Sequence, residues 1–160
     1  MLRAEWQENS AKPCDTGSAI SDMAREWPQF DWGAVDPVFP SKTGLYEFSR
    51  RGLTRRGIEA RRWLRTRPEK VVIVVSHSGF LRVGVSYRMY ENADFRIFDF
   101  GEGGDEVGGN LIEWELTESN GGGLGKSSKG VYPMGPGDHP RETEEEIREA
   151  SGEVSKEVPN

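Results

Sequence analysis

Lys70-Val-Val-Ile-Val-Val-Ser-His-Ser-Gly-Phe-Leu81 is the stretch that decides the fold. Val71 to Val75 is a continuous β-branched run, too short for a buried helix and without the alternation of a strand that has one wet face. A central parallel strand covered on both sides reads this way. Ser76, His77, Ser78 and Gly79 interrupt the run, and a helical pattern follows from Phe80 to about Tyr90. A histidine therefore stands where a buried strand is expected to end and a helix to begin. In open α/β sheets ligands bind at that end of the strands, and a helix N-terminus offers unpaired N–H groups to an anion.

Upstream, Leu53, Gly57, Ala60 and Leu64 make one helical stripe, and Pro68 closes it just before the strand. Helix, short loop and strand are the αβ half of an α/β unit. The arginines of this helix (Arg50, Arg51, Arg55, Arg56, Arg61, Arg62 and Arg65) read as a solvated face. Ile20, Met23, Ala24 and Trp27 predict a short amphipathic helix that Pro28 stops. The segment from Gln29 to Gly44, with its aromatics and prolines, reads as an anchored loop. Phe95–Phe100 and Leu111–Leu116 predict two strands, joined by a glycine-rich loop as an antiparallel edge hairpin. From Ser119 the glycines, prolines and charges cannot build a core, so residues 1–118 are expected to form the domain and 119–160 a flexible tail. Within that tail Glu142 to Ser151 has the composition of a transient charged helix.

The chain of 160 residues carries 27 acidic and 21 basic side chains, a net charge of −6, and so has no basic footprint for nucleic acid. No stretch reaches the ~18 apolar residues of a membrane span, and the N-terminus carries no signal peptide. The single cysteine, Cys14, allows no intrachain disulfide, which points to a reducing, cytoplasmic compartment. No metal site and no cofactor are expected. The only other histidine is His139, and no Cys/His spacing suits zinc.

His77 is the leading chemical candidate. A polar ring directly after buried residues must be hydrogen-bonded or face a cleft. Ser76, Ser78 and Gly79 around it suit a backbone cradle for an oxyanion. No Gly-x-Ser-x-Gly elbow is present for a serine hydrolase.

Four pieces in order carry a resemblance: Leu2 to Ser18 with its Pro-Cys-Asp-Thr-Gly core, the Arg61-Arg-Trp-Leu-Arg-x-Arg-Pro-Glu-Lys70 helix end, Val-Val-Ser-His-Ser-Gly-Phe-Leu, and Glu91-Asn-Ala-Asp-Phe-Arg96. Together they resemble the histidine phosphatase superfamily, the phosphoglycerate-mutase-like clan, and its fungal members in particular. The resemblance implies a three-layer α/β/α fold. It also implies phosphohistidine chemistry on small phosphomonoesters, without a metal. One histidine of the family attacks the phosphoryl group, a second holds its oxygens, and a carboxylic acid protonates the leaving oxygen. His77 matches the second histidine. Glu8, in Trp-Gln-Glu, matches the acid, with Glu5 as its competitor. His77, Ser78 and Gly79 are expected to hold the phosphate, with Arg82 and Asn92 as secondary contacts.

The departure lies at the N-terminus. The family's Leu-x-Arg-His-Gly segment, which carries the nucleophile, and a later binding arginine have no counterpart in this sequence. The expectation is a domain lacking its N-terminal βα portion and inactive alone. A non-catalytic phospho-ligand binder and a protein-interaction module are the alternatives. His77 acting itself as nucleophile would lack a partner histidine.

Overall fold

The computed structural model describes residues 1–141, and the expected helix from Glu142 to Ser151 lies outside them. Within these residues the chain mixes helices with one small two-stranded sheet.

Helix α1 spans Ile20–Glu26, and α2 spans Arg50–Arg65. The Ser49 hydroxyl caps α2 by accepting the Gly52 N–H at 3.0 Å. The stripe predicted from Leu53, Gly57 and Ala60 is buried, and Arg56 and Arg61 are buried with it. A third helix begins with α3, Ser78–Phe80, and runs on as a π-helix over Leu81–Ser86. Tyr87 ends it in the left-handed region, three residues before the expected boundary. The Tyr87 N–H reaches back to the Arg82 carbonyl at 2.8 Å, the wider bond that defines the π geometry.

Helix α2 and the π-helix cross at glycines. A Cβ on Gly57 would lie 2.7 Å from the carbonyl carbon and 2.8 Å from the Cα of Gly84. Backbone therefore meets backbone here. The Arg61 guanidinium reinforces the crossing by donating to the Gly84 carbonyl and, at 2.6 Å, to the Val107 carbonyl. Ala60, Phe80 and Val85 form the core beneath, with Trp6 and Leu111 against it. A second cluster, Ala4, Val35 and Tyr46, gathers Leu2, Ile20, Trp32, Phe39 and Leu45. It anchors the loop before α2 as its aromatics suggested.

Strands β1 (Phe98–Phe100) and β2 (Leu111–Glu113) pair antiparallel, Asp99 opposite Ile112, as the edge hairpin predicted. A short helix, α4 (Glu115–Glu118), replaces the second half of the second expected strand.

The reading of Val71–Val75 as a buried central strand is corrected. Val71, Ile73 and Val75 are 78%, 86% and 88% exposed, and the segment belongs to no sheet. The physical reason is the missing ladder. β-branched residues favour an extended chain, but a strand is buried only when neighbours pair its edges and cover its faces. Among the described residues the only sheet is β1–β2. What the described residues build is a set of helices around this one small sheet.

Residues 121–138, read from composition as mobile, make directed contacts with the body. The Asp94 carboxylate accepts the Leu124, Lys126 and Ser127 N–H groups and the Ser127 hydroxyl. The Tyr132 N–H bonds the Tyr87 carbonyl at 2.7 Å, and Asp138 forms a two-pronged ion pair with Arg82. Burial works against the Asp94 charge, but the hydrogen bonds from Leu124, Ser127, Phe95 and Lys126 outweigh it and bring its pKa from 3.8 to about 2. A carboxylate with a depressed folded-state pKa adds stability above its unfolded value and loses it as pH falls through the folded one. The 121–127 loop is therefore expected to open between about pH 4 and pH 2. Amide exchange of Leu124 and Ser127 should rise over that window in the wild type. In Asp94→Asn the rise across the window should vanish. An Asp94→Asn exchange profile that still tracks pH there would contradict the assignment.

Candidate functional site

The site forms where the N-terminal segment meets the start of α3. A tight turn over Ala4–Trp6 sets Gln7, Glu8 and Asn9 against α2 and α3. Trp6 meets Phe80 edge-to-face at 5.9 Å between centroids. The Ser76 hydroxyl donates to the Trp6 carbonyl at 2.7 Å. Those two contacts bring the residue after Gln7 beside the residue after Ser76.

Glu8 and His77 meet there. The Glu8 Oε2 lies 3.6 Å from the His77 Nδ1, and the other oxygen accepts the Asn9 N–H at 2.7 Å. The Glu8 side chain is 21% exposed and the His77 side chain 56% exposed, so the pair opens to solvent on the histidine side. Gly79 fits beneath them because it has no side chain. A Cβ at Gly79 would lie 2.8 Å from the Glu8 Oε1 and 3.2 Å from the Asn9 Nδ2.

The other expected residues divide. The Ser78 hydroxyl donates to the Tyr90 carbonyl at 2.7 Å, a bond that fixes the turn. Glu5 is paired with Arg3 on the other side of the Ala4–Trp6 turn and makes no contact with His77. Arg82 is held by Asp138, and Asn92 lies on an exposed turn.

Two cations that the sequence reading did not place at the site complete it. The Arg56 guanidinium is 1% exposed, stacks 3.9 Å over the Phe80 ring, and donates to the Glu8 carbonyl at 3.4 Å and the Asn9 Oδ1 at 2.5 Å. Its Nε is buried without a partner. Lys42, from the loop pinned by the Ala4–Val35–Tyr46 cluster, donates its ammonium to the Glu8 carbonyl at 2.6 Å. Burial, then the neighbouring Arg56 charge, pulls the Lys42 pKa from 10.5 down to about 8. Burial likewise lowers Arg56 to about 10. Arg56 had a signal in the sequence, since it sits beside Gly57 inside the apolar stripe rather than on the polar face. Lys42 had none.

This arrangement can do two things chemically. The Glu8–His77 pair can hold or pass a proton. The Lys42 and Arg56 charges behind it, with no carboxylate bonded to either among the described residues, favour an anion. Among the described residues no group of three or more His, Cys, Asp or Glu side chains gathers as a metal would require. An open cleft of about 440 Å³ lined by Leu45, Arg55, Ile58, Glu59 and Arg62 contains none of these residues.

The chain is 31% identical over 80 residues to a protein of Schizosaccharomyces pombe described as a "probable phosphatase", a match that covers 49% of this chain and 34% of that protein. The matched part thus spans about a third of the length of that relative. No family model matches the chain, and no solved structure matches it. Among the described residues no helix is long and apolar enough to cross a membrane.

Proposed function

We propose that this is a phosphatase-like protein of histidine-phosphatase type that binds small phosphomonoesters at the His77–Glu8 cluster, and that the 160-residue chain alone turns them over negligibly. The observation that carries the reading is the 3.6 Å approach of the Glu8 carboxylate to His77 across nearly the whole N-terminal half of the chain. The distant phosphatase relative supports the same class.

In this reading a protonated Glu8 gives its proton to the leaving ester oxygen as the P–O bond breaks, and His77 donates an N–H to a phosphoryl oxygen. The new bond to phosphorus must come from a nucleophile. In the family that is a histidine of an Arg-His-Gly segment, and this sequence contains none. Water attack without a placed base forfeits the covalent step that divides the reaction in two. Residues that act as a unit are strongly non-additive, so the loss is on the order of 10⁶-fold.

The family's three-layer fold belongs to this proposal. So does the division at Ser119, with the described part of 119–160 as a strap docked on the body. A cytoplasmic setting, in keeping with the free and exposed Cys14, completes it.

The test is a titration with inorganic phosphate followed by two-dimensional NMR, with hydrolysis of p-nitrophenyl phosphate between pH 5 and 8 as the second readout. Phosphate should shift the His77 resonances, and His77→Ala should abolish the response. Absence of any response in the wild type sinks the phosphate-site reading and favours an interaction module. Turnover of ~1 s⁻¹ or more that disappears in His77→Ala sinks the claim of inactivity.

A further inference from the structure

We infer that Lys42 is the residue that grips the bound anion, with Arg56 as a fixed positive backing behind it. This deepens the phosphate-site reading above and rests on it for the nature of the ligand.

The argument is one of uncompensated charge. A cation withdrawn from water is normally paired with a carboxylate, because removing it alone costs several kcal/mol. Burial works against the charge of both Lys42 and Arg56, both bond the Glu8 carbonyl, and the Arg56 charge bears on Lys42. Yet among the described residues neither forms an ion pair. Both spend their hydrogen bonds on neutral acceptors, the Glu8 carbonyl and the Asn9 amide oxygen. The nearby acids Glu8 and Asp15 act on Lys42 only through the field. Glu8 directs its carboxylate to the Asn9 N–H and His77, and Asp15 accepts the Ser10 hydroxyl. Such a pair of cations is arranged for a charge that arrives from outside.

The two are not equivalent. Arg56 is enclosed, its guanidinium fixed by Phe80, Asn9 and the Glu8 carbonyl, so it contributes potential rather than contact. Lys42 is partly exposed, and its ammonium has three N–H groups, of which the Glu8 carbonyl uses one. The other two remain for a phosphate oxygen. Lys42 reaches the main chain of Glu8 and His77 reaches its carboxylate, so a ligand between them would be gripped from both sides of that residue.

The experiment uses the full chain and inorganic phosphate, with affinity from NMR titration and stability from thermal unfolding. Lys42→Met is expected to weaken phosphate about tenfold or more, the range of one charge-assisted hydrogen bond. It should leave Tm little changed, since Lys42 is partly exposed and its one hydrogen bond is to a main-chain carbonyl. Lys42→Arg should retain binding, and should move the fall in wild-type affinity above about pH 8 to higher pH. His77→Ala serves as the separate arm. Loss of binding in His77→Ala with full binding in Lys42→Met overturns the Lys42 assignment and leaves the site reading intact. Loss in Lys42→Met with full binding in His77→Ala upholds Lys42 and overturns the role given to His77. A lowered Tm in Lys42→Met with unchanged affinity makes Lys42 structural and overturns the inference. No binding by the wild type overturns both.

Discussion

Gly57→Ala is expected to destabilise the protein by about 3 kcal/mol or more, beyond the usual range for a single added methyl in a packed core. An added methyl normally finds a side chain that can turn away. At Gly57 it finds the main chain of Gly84, with the carbonyl carbon at 2.7 Å, the Cα at 2.8 Å and the oxygen closer still. Neither helix can yield locally. The Gly84 carbonyl is already bonded by Arg61, and the Gly84 Cα has the Phe80 ring on its other side, where a Cβ would stand 2.9 Å from the Phe80 Cδ2. The two helices must separate, which opens the Ala60–Phe80–Val85 core. Phe80 also carries the Arg56 stack and the Trp6 contact, so the site should loosen with the core. Thermal unfolding should show a Tm lower by ~10 °C. Gly137→Ala, where nothing lies within 4 Å and φ is not positive, is the control and should change little. A Gly57→Ala Tm within about two degrees of wild type would mean that the helices do not cross as described.

The same crossing shows what the sequence could and could not reveal. The stripe Leu53, Gly57, Ala60 was legible because helical burial is a local periodicity, and so was the Phe98–Glu113 hairpin, set by two apolar runs around glycines. Val71–Val75 was misread because burial of a strand is not local. Composition makes the segment extended, but only its neighbours decide whether it is covered, and the described residues supply none. The approach of Glu8 to His77 followed from the family resemblance; no spacing in the chain would have produced it. Charge was the least legible property. The seven arginines on α2 read together as one solvated face, although Arg56 and Arg61 sit beside Gly57 and Ala60 of the apolar stripe. Two of them, Arg56 and Arg61, lie on the buried side and bond carbonyls from distant segments. Glycine-rich composition after Ser119 likewise hid the contacts made by Asp94, because one carboxylate can order a loop that has no apolar anchor.

Glu113→Ala is expected to cost about 3–5 kcal/mol, the effect of leaving buried charge without its partner. The Glu113 side chain is fully enclosed. Its Oε1 takes the Arg96 Nη1 at 2.6 Å and the Thr117 hydroxyl at 2.9 Å. Arg88 Nε lies 2.9 Å from Oε2, but off the hydrogen-bonding line, so that oxygen is held by charge more than by a directed bond. Removing the carboxylate strands Arg96, whose side chain is 1% exposed and whose remaining acceptors are the neutral Met89 and Ser128 carbonyls. Arg88 keeps Glu118. The damage should spread beyond β2. Arg96 ties the segment before β1 to Met89, and the neighbouring Tyr90 carbonyl holds the Ser78 hydroxyl beside His77. Glu113→Ala should therefore lower Tm by ~10 °C or more and also broaden the His77 resonances. Glu113→Gln, which can still accept a hydrogen bond, should fall between the two. If stranded charge is the cause, replacing both Glu113 and Arg96 by methionine should recover most of the stability, because a buried ion pair can often be exchanged for apolar side chains at little cost. A double variant no better than Glu113→Ala would assign the loss to packing instead. A Glu113→Ala protein that melts with the wild type would show that the carboxylate does not hold these arginines at all.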